Sequence, residues 1–166
     1  MSLVEIVMYV ALLGALSVFV TNSLIQIAGA YQRVRAEREV LSGARTLLDA
    51  VAKSTAAAEE VYTPASRFNS DAGQLSLVTV LGATPGHTTA YIDFWVDGGR
   101  AFSRAEGSAT TTLTVASVRV VKFRFERLVQ GLNREAVKTT VQVDSANPRF
   151  PASVTLNATT ALRGNY

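Results

Sequence analysis

The chain contains no cysteine. That excludes a disulfide framework and any thiolate metal site, so the fold must close by packing and strand pairing alone. Histidine is nearly as scarce, with His87 standing by itself in Thr84-Pro85-Gly86-His87. A general base or metal ligand needs convergent partners, and His87 has no second histidine or cysteine to work with. It reads as a solvated loop residue. A phosphate-cradling glycine motif and a Gly-x-Ser-x-Gly elbow are missing as well. Glu59-Glu60, Asp93 and Asp97 are acids, but nothing in their spacing enforces an acid pair. No enzymatic activity, metal or cofactor is expected. Charge itself is absent from one long stretch, Ile6 to Gln32, which holds no Asp, Glu, Lys or Arg.

What is present is distributed unevenly. The 166 residues suit one compact domain plus an extra element. Hydrophobic residues make up 48% of the chain, and the excess sits at the N-terminal end. Beyond Arg33 the composition is that of an ordinary soluble domain. The net charge of +3 is mildly basic, but the basic residues alternate with acids, as in Arg33, Arg35, Glu37, Arg38 and Glu39. A nucleic-acid footprint needs them clustered on one face or in one run, so nucleic acid is not an expected partner.

Roughly 20 apolar residues in a helix cross a bilayer core, and Ile6 to Ala30 is long enough to span. A cleavable signal peptide would show a basic segment before a shorter apolar run. Here an acid, Glu5, leads the run, and Arg33, Arg35 and Arg38 follow it. By the positive-inside tendency those arginines would hold the C-terminal part in the cytoplasm, unless a basic leader is removed ahead of Met1. A carboxylate in hydrocarbon costs a few kcal/mol on insertion scales, so intramembrane acids usually have a partner. Glu5 is either an interfacial acid favoured by the positive end of the helix dipole, or the partner of a cation from another subunit. The nearest such cation is an N-terminal amine, that of Met1 on a neighbouring chain.

Met1-Ser2-Leu3-Val4-Glu5-Ile6-Val7, followed by an apolar helix, resembles the mature N-terminus of type IV pilins and type II secretion pseudopilins. In that family a prepilin peptidase cuts after a leader glycine and methylates the new N-terminus. The first residue is usually Phe or Met, the second Thr or Ser, the third Leu and the fifth Glu. The resemblance implies processing and methylation at Met1, and an intersubunit salt bridge from Glu5 to a neighbour's Met1 amine. It also implies a filament core packed from Leu3, Val4, Ile6, Val7, Val10, Leu13, Val18 and Leu24. In assembled pili of this family the stretch between a helix Gly and a helix Pro often loses helical structure. Gly14 is present here, but position 22 is Asn. Thr21, Asn22 and Ser23 are weak helix formers that bond locally to backbone, so loosening is expected between Gly14 and Ser23.

Past Arg33 the pattern becomes one-sided. Val34, Leu41, Ala44, Leu48, Val51, Thr55 and Ala58 form an apolar stripe, widened by Leu47. Arg35, Glu39, Ser42, Arg45, Asp49 and Lys53 occupy the other face. Tyr62-Thr63-Pro64 is expected to end the helix, which would then run roughly 85 Å from about Ser2 to Ala58. From Gln74 onward the sequence reads as about six antiparallel strands. They are Leu75 to Leu81, Tyr91 to Val96, Arg100 to Arg104, Val118 to Val129, Ala136 to Val143, and Ser153 to Leu162. Asp97-Gly98-Gly99 is a hairpin signal. Val121, Phe123 and Phe125 are placed on one face, and Gln130-Gly131-Leu132-Asn133 is a turn. Asn157-Ala158-Thr159 matches the N-glycan acceptor pattern, but its place in the last strand argues against use.

The expected fold is α+β, a long N-terminal helix packed against an antiparallel sheet, as in pilins. Its divisions are 1–32 (membrane or filament-core half), 33–60 (amphipathic half) and 61–166 (sheet domain). The strand order and the closing Thr-Thr-Ala-Leu-Arg also resemble J-type minor pseudopilins and pilins of reduced-genome bacteria. The family implies a major pilin that polymerises into a helical filament of identical subunits, used in twitching motility or adhesion to a host-cell surface. Its other partners would be the inner membrane, the prepilin peptidase and the pilus assembly machinery, with the filament extracellular. The alternatives are a minor pilin or pseudopilin, and a single-span anchored domain with no polymer.

Overall fold

The computed structural model describes residues 2–80, 88–130 and 134–163, the side chains of Gln130 and Arg134 excepted. Met1, His87, Leu81-Gly82 and the expected turn at Gly131-Leu132-Asn133 lie outside the described residues. The chain divides into two compact units, Met1–Arg35 and Ala36–Tyr166. A single helix, α1 (Leu3–Ala57), forms the first and opens the second.

In the second unit α1 is amphipathic, and its buried stripe is Val40, Ala44, Leu47, Val51 and Thr55. The spacing of four, three, four and four keeps these side chains on one face. The expected stripe was partly out of phase. Val40 replaces Leu41, Leu48 is only partly buried against the core, and Val34 is exposed in the other unit. The helix stops at Ala57, before the proline expected to end it. Val61 already pairs with Leu77 there, and Pro64 sits in a separate 3₁₀ turn, Thr63–Ala65.

Two antiparallel sheets share the core with this stripe, where one had been expected. The first is a meander of β1 (Glu60–Val61), β2 (Gln74–Thr79), β3 (Ala90–Asp97), β4 (Arg100–Ala105) and β5 (Thr111–Thr112). The second holds β6 (Val118–Gln130), β7 (Arg134–Ser145) and β8 (Ser153–Ala161), in that order. Leu75, Leu77 and Phe94 from the first sheet meet Phe123, Phe125, Val137 and Val141 from the second around Leu47 and Val51. The architecture is therefore α+β, a long apolar helix packed through its C-terminal half against antiparallel sheets. The residues after β8 are tied to the residue following the helix, with Arg163 N–H donating to the Ala58 carbonyl at 2.9 Å.

Backbone chemistry explains two local features. The Asp97–Arg100 pair closes a two-residue hairpin in which Gly98 and Gly99 have φ of 56° and 75°. Positive φ at both central residues is what a type I′ turn requires. In β6 the register slips between Val120 and Lys122, leaving Val121 as a bulge. Val118 and Val120 are buried before it and Phe123 and Phe125 after it, while Val121 is exposed. Val121 therefore does not share the face of Phe123 and Phe125. The cause lies along the other edge of β6. Val120 N–H donates to the Gly99 carbonyl at 2.8 Å, and Phe123 N–H to the Asp71 carbonyl at 2.8 Å. One strand serves two differently placed acceptors, and an extra residue reconciles them. On the outer part of this sheet a hydrogen bond from Arg127 to Glu135 raises the guanidinium pKa above its ordinary value.

The segment before β2 lies against β6 so closely that one position excludes a side chain. A Cβ on Gly73 would stand 2.6 Å from the Phe123 carbonyl oxygen and 3.0 Å from the Phe125 ring. Gly98, by contrast, has open space around it. Gly73→Ala should therefore destabilise the domain by about 1–3 kcal/mol, since backbone must move to admit the methyl group. Gly98→Ala should cost less, roughly 1 kcal/mol, because only its positive φ opposes the change. Thermal melts of the detergent-solubilised full chain test the ranking, which fails if Gly73→Ala melts at or above the Gly98→Ala temperature.

Candidate functional site

The head of α1 is organised by two side chains. Ser2 precedes the helix and its carbonyl accepts the N–H groups of Glu5 and Ile6 at 3.0 and 3.3 Å. The Ser2 hydroxyl oxygen accepts the Val4 N–H at 3.3 Å, and a Glu5 carboxylate oxygen accepts the Ser2 N–H at 3.4 Å. This is a capping-box arrangement in which serine and an acid three residues later satisfy orphan N–H donors, with the hydroxyl taking the N2 rather than the N3 N–H. Glu5 also faces the positive end of the helix dipole. The sequence signal was the Ser-x-x-Glu spacing before an apolar run, and sequence reasoning missed it. Glu5 thus has a local structural role inside its own chain. One Ser2 N–H uses only part of the capacity of a carboxylate, which can accept about four hydrogen bonds.

The residues expected to pack a filament core are all exposed among the described residues. Among Leu3, Val4, Ile6, Val7, Val10, Leu13, Val18 and Leu24 the least exposed is Ile6 at 50% and the most exposed is Leu3 at 79%. None of the most apolar window of this helix is buried. By length and composition α1 is long and apolar enough to cross a membrane. Its aromatic residues fit that placement. Tyr9 and Tyr31 are 22 residues apart, about 33 Å along a helix, close to the roughly 30 Å hydrocarbon core whose boundaries tyrosine favours. Glu5 and Arg33 are 28 residues apart, about 42 Å, which matches a bilayer with its headgroups.

The loosening expected between Gly14 and Ser23 is not found in this chain, where α1 runs unbroken from Leu3 to Ala57. The hydroxyls of Ser17, Thr21 and Ser23 donate to the carbonyls of Leu13, Ser17 and Phe19 at 2.9, 2.8 and 2.9 Å. Each polar side chain is satisfied four residues back and does not compete for the ladder. Asn22, unlike a proline, keeps its backbone N–H. A methyl group added at Gly14 would meet nothing within 4 Å beyond the helix's own backbone.

Elsewhere the acids noted in the sequence do not converge. Glu59 and Glu60 are exposed, Asp97 ends β3, and Asp93 pairs with Arg104 at 3.5 Å. Among the described residues no group of His, Cys, Asp and Glu could hold a metal ion. Comparison with family models, with curated proteins and with solved structures returns no match.

The capping geometry makes its own prediction. Ser2→Ala should weaken the first turn by about 1 kcal/mol, the usual worth of an N-cap, and accelerate amide exchange at Val4 and Glu5. Amides beyond Tyr9 should be unaffected. Hydrogen exchange by NMR in micelles reads this directly, and unchanged exchange at Val4 would remove the box from the account.

Proposed function

We propose that this chain is the major subunit of a type IV pilus, an extracellular helical filament that serves motility or adhesion. The observation that carries the reading is a fully exposed apolar helix headed by a single acid, Glu5. The same helix continues into the core of a folded domain. In a bilayer, lipid covers such side chains. In water they must be covered by something else, and burial of each large apolar side chain is worth roughly 1.5–3 kcal/mol. Further copies of the same helix supply that cover.

In this reading subunits wait in the inner membrane, are processed by a prepilin peptidase and methylated at Met1, and are extracted by the pilus assembly machinery. On extraction the Glu5 carboxylate exchanges or shares its Ser2 contact with the Met1 amine of a neighbour. The pair sets register more than strength, because a buried ion pair gains little net free energy over its desolvation cost.

A second reading, a single-span anchored domain, is supported by the Glu5–Arg33 spacing, which is long enough to let both charges reach headgroup layers without a partner chain. The capping box separates the two readings. Glutamine can replace glutamate in such a box, so Glu5→Gln keeps the cap and removes the charge. The pilus reading expects surface filaments to fall to a small fraction of wild type in Glu5→Gln, with monomer level in the membrane unchanged. Filaments of normal number and length in that variant would refute the Glu5 role. Mass spectrometry of the cellular chain checks processing, with a methylated Met1 expected and a retained upstream leader supporting the anchor.

A further inference from the structure

The outer face of the first sheet carries a cleft of about 590 Å³ whose lining includes Tyr62, Tyr91, Asp93, Arg104, Glu106 and Ser108. These residues come from the end of β1, from β3 and β4, and from the turn that follows β4. We propose that this cleft binds a neutral saccharide of one or two rings, independently of whether the chain polymerises.

Three features argue for a sugar. First, Tyr62 and Tyr91 stand edge to face with ring centroids 5.2 Å apart, and remain 39% and 38% exposed. An aromatic pair left open at a cleft wall offers the apolar C–H face of a pyranose a rigid surface, at little cost in side-chain freedom. Second, the polar groups are held in place before any ligand arrives. Arg104 is paired with Asp93 at 3.5 Å across neighbouring strands, where the two residues are in register. Glu106 is fixed by accepting the Tyr91 N–H at 3.1 Å, and Tyr91 in turn accepts the Glu106 N–H through its carbonyl at 2.8 Å. Pre-set polar groups in a partly apolar concavity are what a small-molecule site needs.

Third, the cleft contains both kinds of hydrogen-bonding group. Carboxylates accept only, a guanidinium donates only, and the Ser108 hydroxyl does both. Adjacent ring hydroxyls are themselves donors and acceptors, so they complement a mixed set. A site for a cation would have little use for Arg104 beside Asp93, and one for an anion little use for Asp93 and Glu106. The planar carboxylate and guanidinium each present two parallel atoms, which match a pair of neighbouring hydroxyls.

The test uses the full chain in detergent micelles, with methyl glucoside, methyl galactoside and N-acetylglucosamine as probes and choline as the cationic control. Saturation-transfer NMR should show contact to the ring protons of at least one sugar and none to choline. Tyr91→Ala and Glu106→Gln should each weaken that sugar by on the order of tenfold, with melting temperature unchanged in Glu106→Gln. Because Tyr91→Ala removes part of a strand's cover, Arg104→Gln provides a further variant with the same expected loss. Absence of transfer to all three sugars, binding that survives these substitutions, or choline binding sensitive to them would each overturn the proposal.

Discussion

One backbone has to satisfy two surroundings, and most of the molecule follows from that constraint. Over its first part α1 is apolar on every side, long and apolar enough to cross a membrane. Over its second part it is apolar on one stripe, and that stripe is the spine of a two-sheet core. No charge interrupts the stretch from Ile6 to Gln32, whereas Arg38, Arg45, Asp49 and Lys53 mark the solvent side of the second part. Hydroxyls in the apolar part are turned inward onto the ladder, as they must be where no external partner exists. The helix head meets the same requirement differently, by closing its first N–H groups with Ser2 and Glu5.

This gives Glu5 a place that its mere presence in an apolar segment did not. As part of a cap it costs the separate subunit little, and it stands near the headgroup layer when Tyr9 and Tyr31 mark the hydrocarbon boundaries. A residue that is structurally useful in one state and available for a second partner in another suits a subunit that changes surroundings. In the proposed filament, the extra acceptor capacity of the carboxylate would be the physical link between the two states.

The amount legible in the sequence differed from element to element for physical reasons. The helix, its change of character and the Asp97-Gly98-Gly99 hairpin were readable because each depends on residues close together in the chain. The bulge at Val121 was not, because it answers to the carbonyls of Gly99 and Asp71, far away in sequence. The stripe was read with Leu41 in place of Val40, a one-residue error of phase that only the packed sheets could correct. The split into two sheets depends on where β5 stops pairing and β6 finds other acceptors. The capping box was fully present in Ser2 and Glu5, but attention to the acid as an intersubunit group hid it. The cleft on the outer sheet face draws Tyr62, Tyr91, Asp93, Arg104 and Glu106 from separate segments, which strand register and the turn after β4 bring together.

The decisive quantity is what covers the apolar half of α1 outside a membrane. Structure determination of filaments sheared from the cells that make this chain answers it directly. The account predicts Leu3, Ile6, Val10 and Leu13 buried between copies, with the Glu5 carboxylate within hydrogen-bond distance of a neighbour's Met1 amine. A filament built of other proteins, with this chain found only as monomers in the membrane fraction, would contradict it.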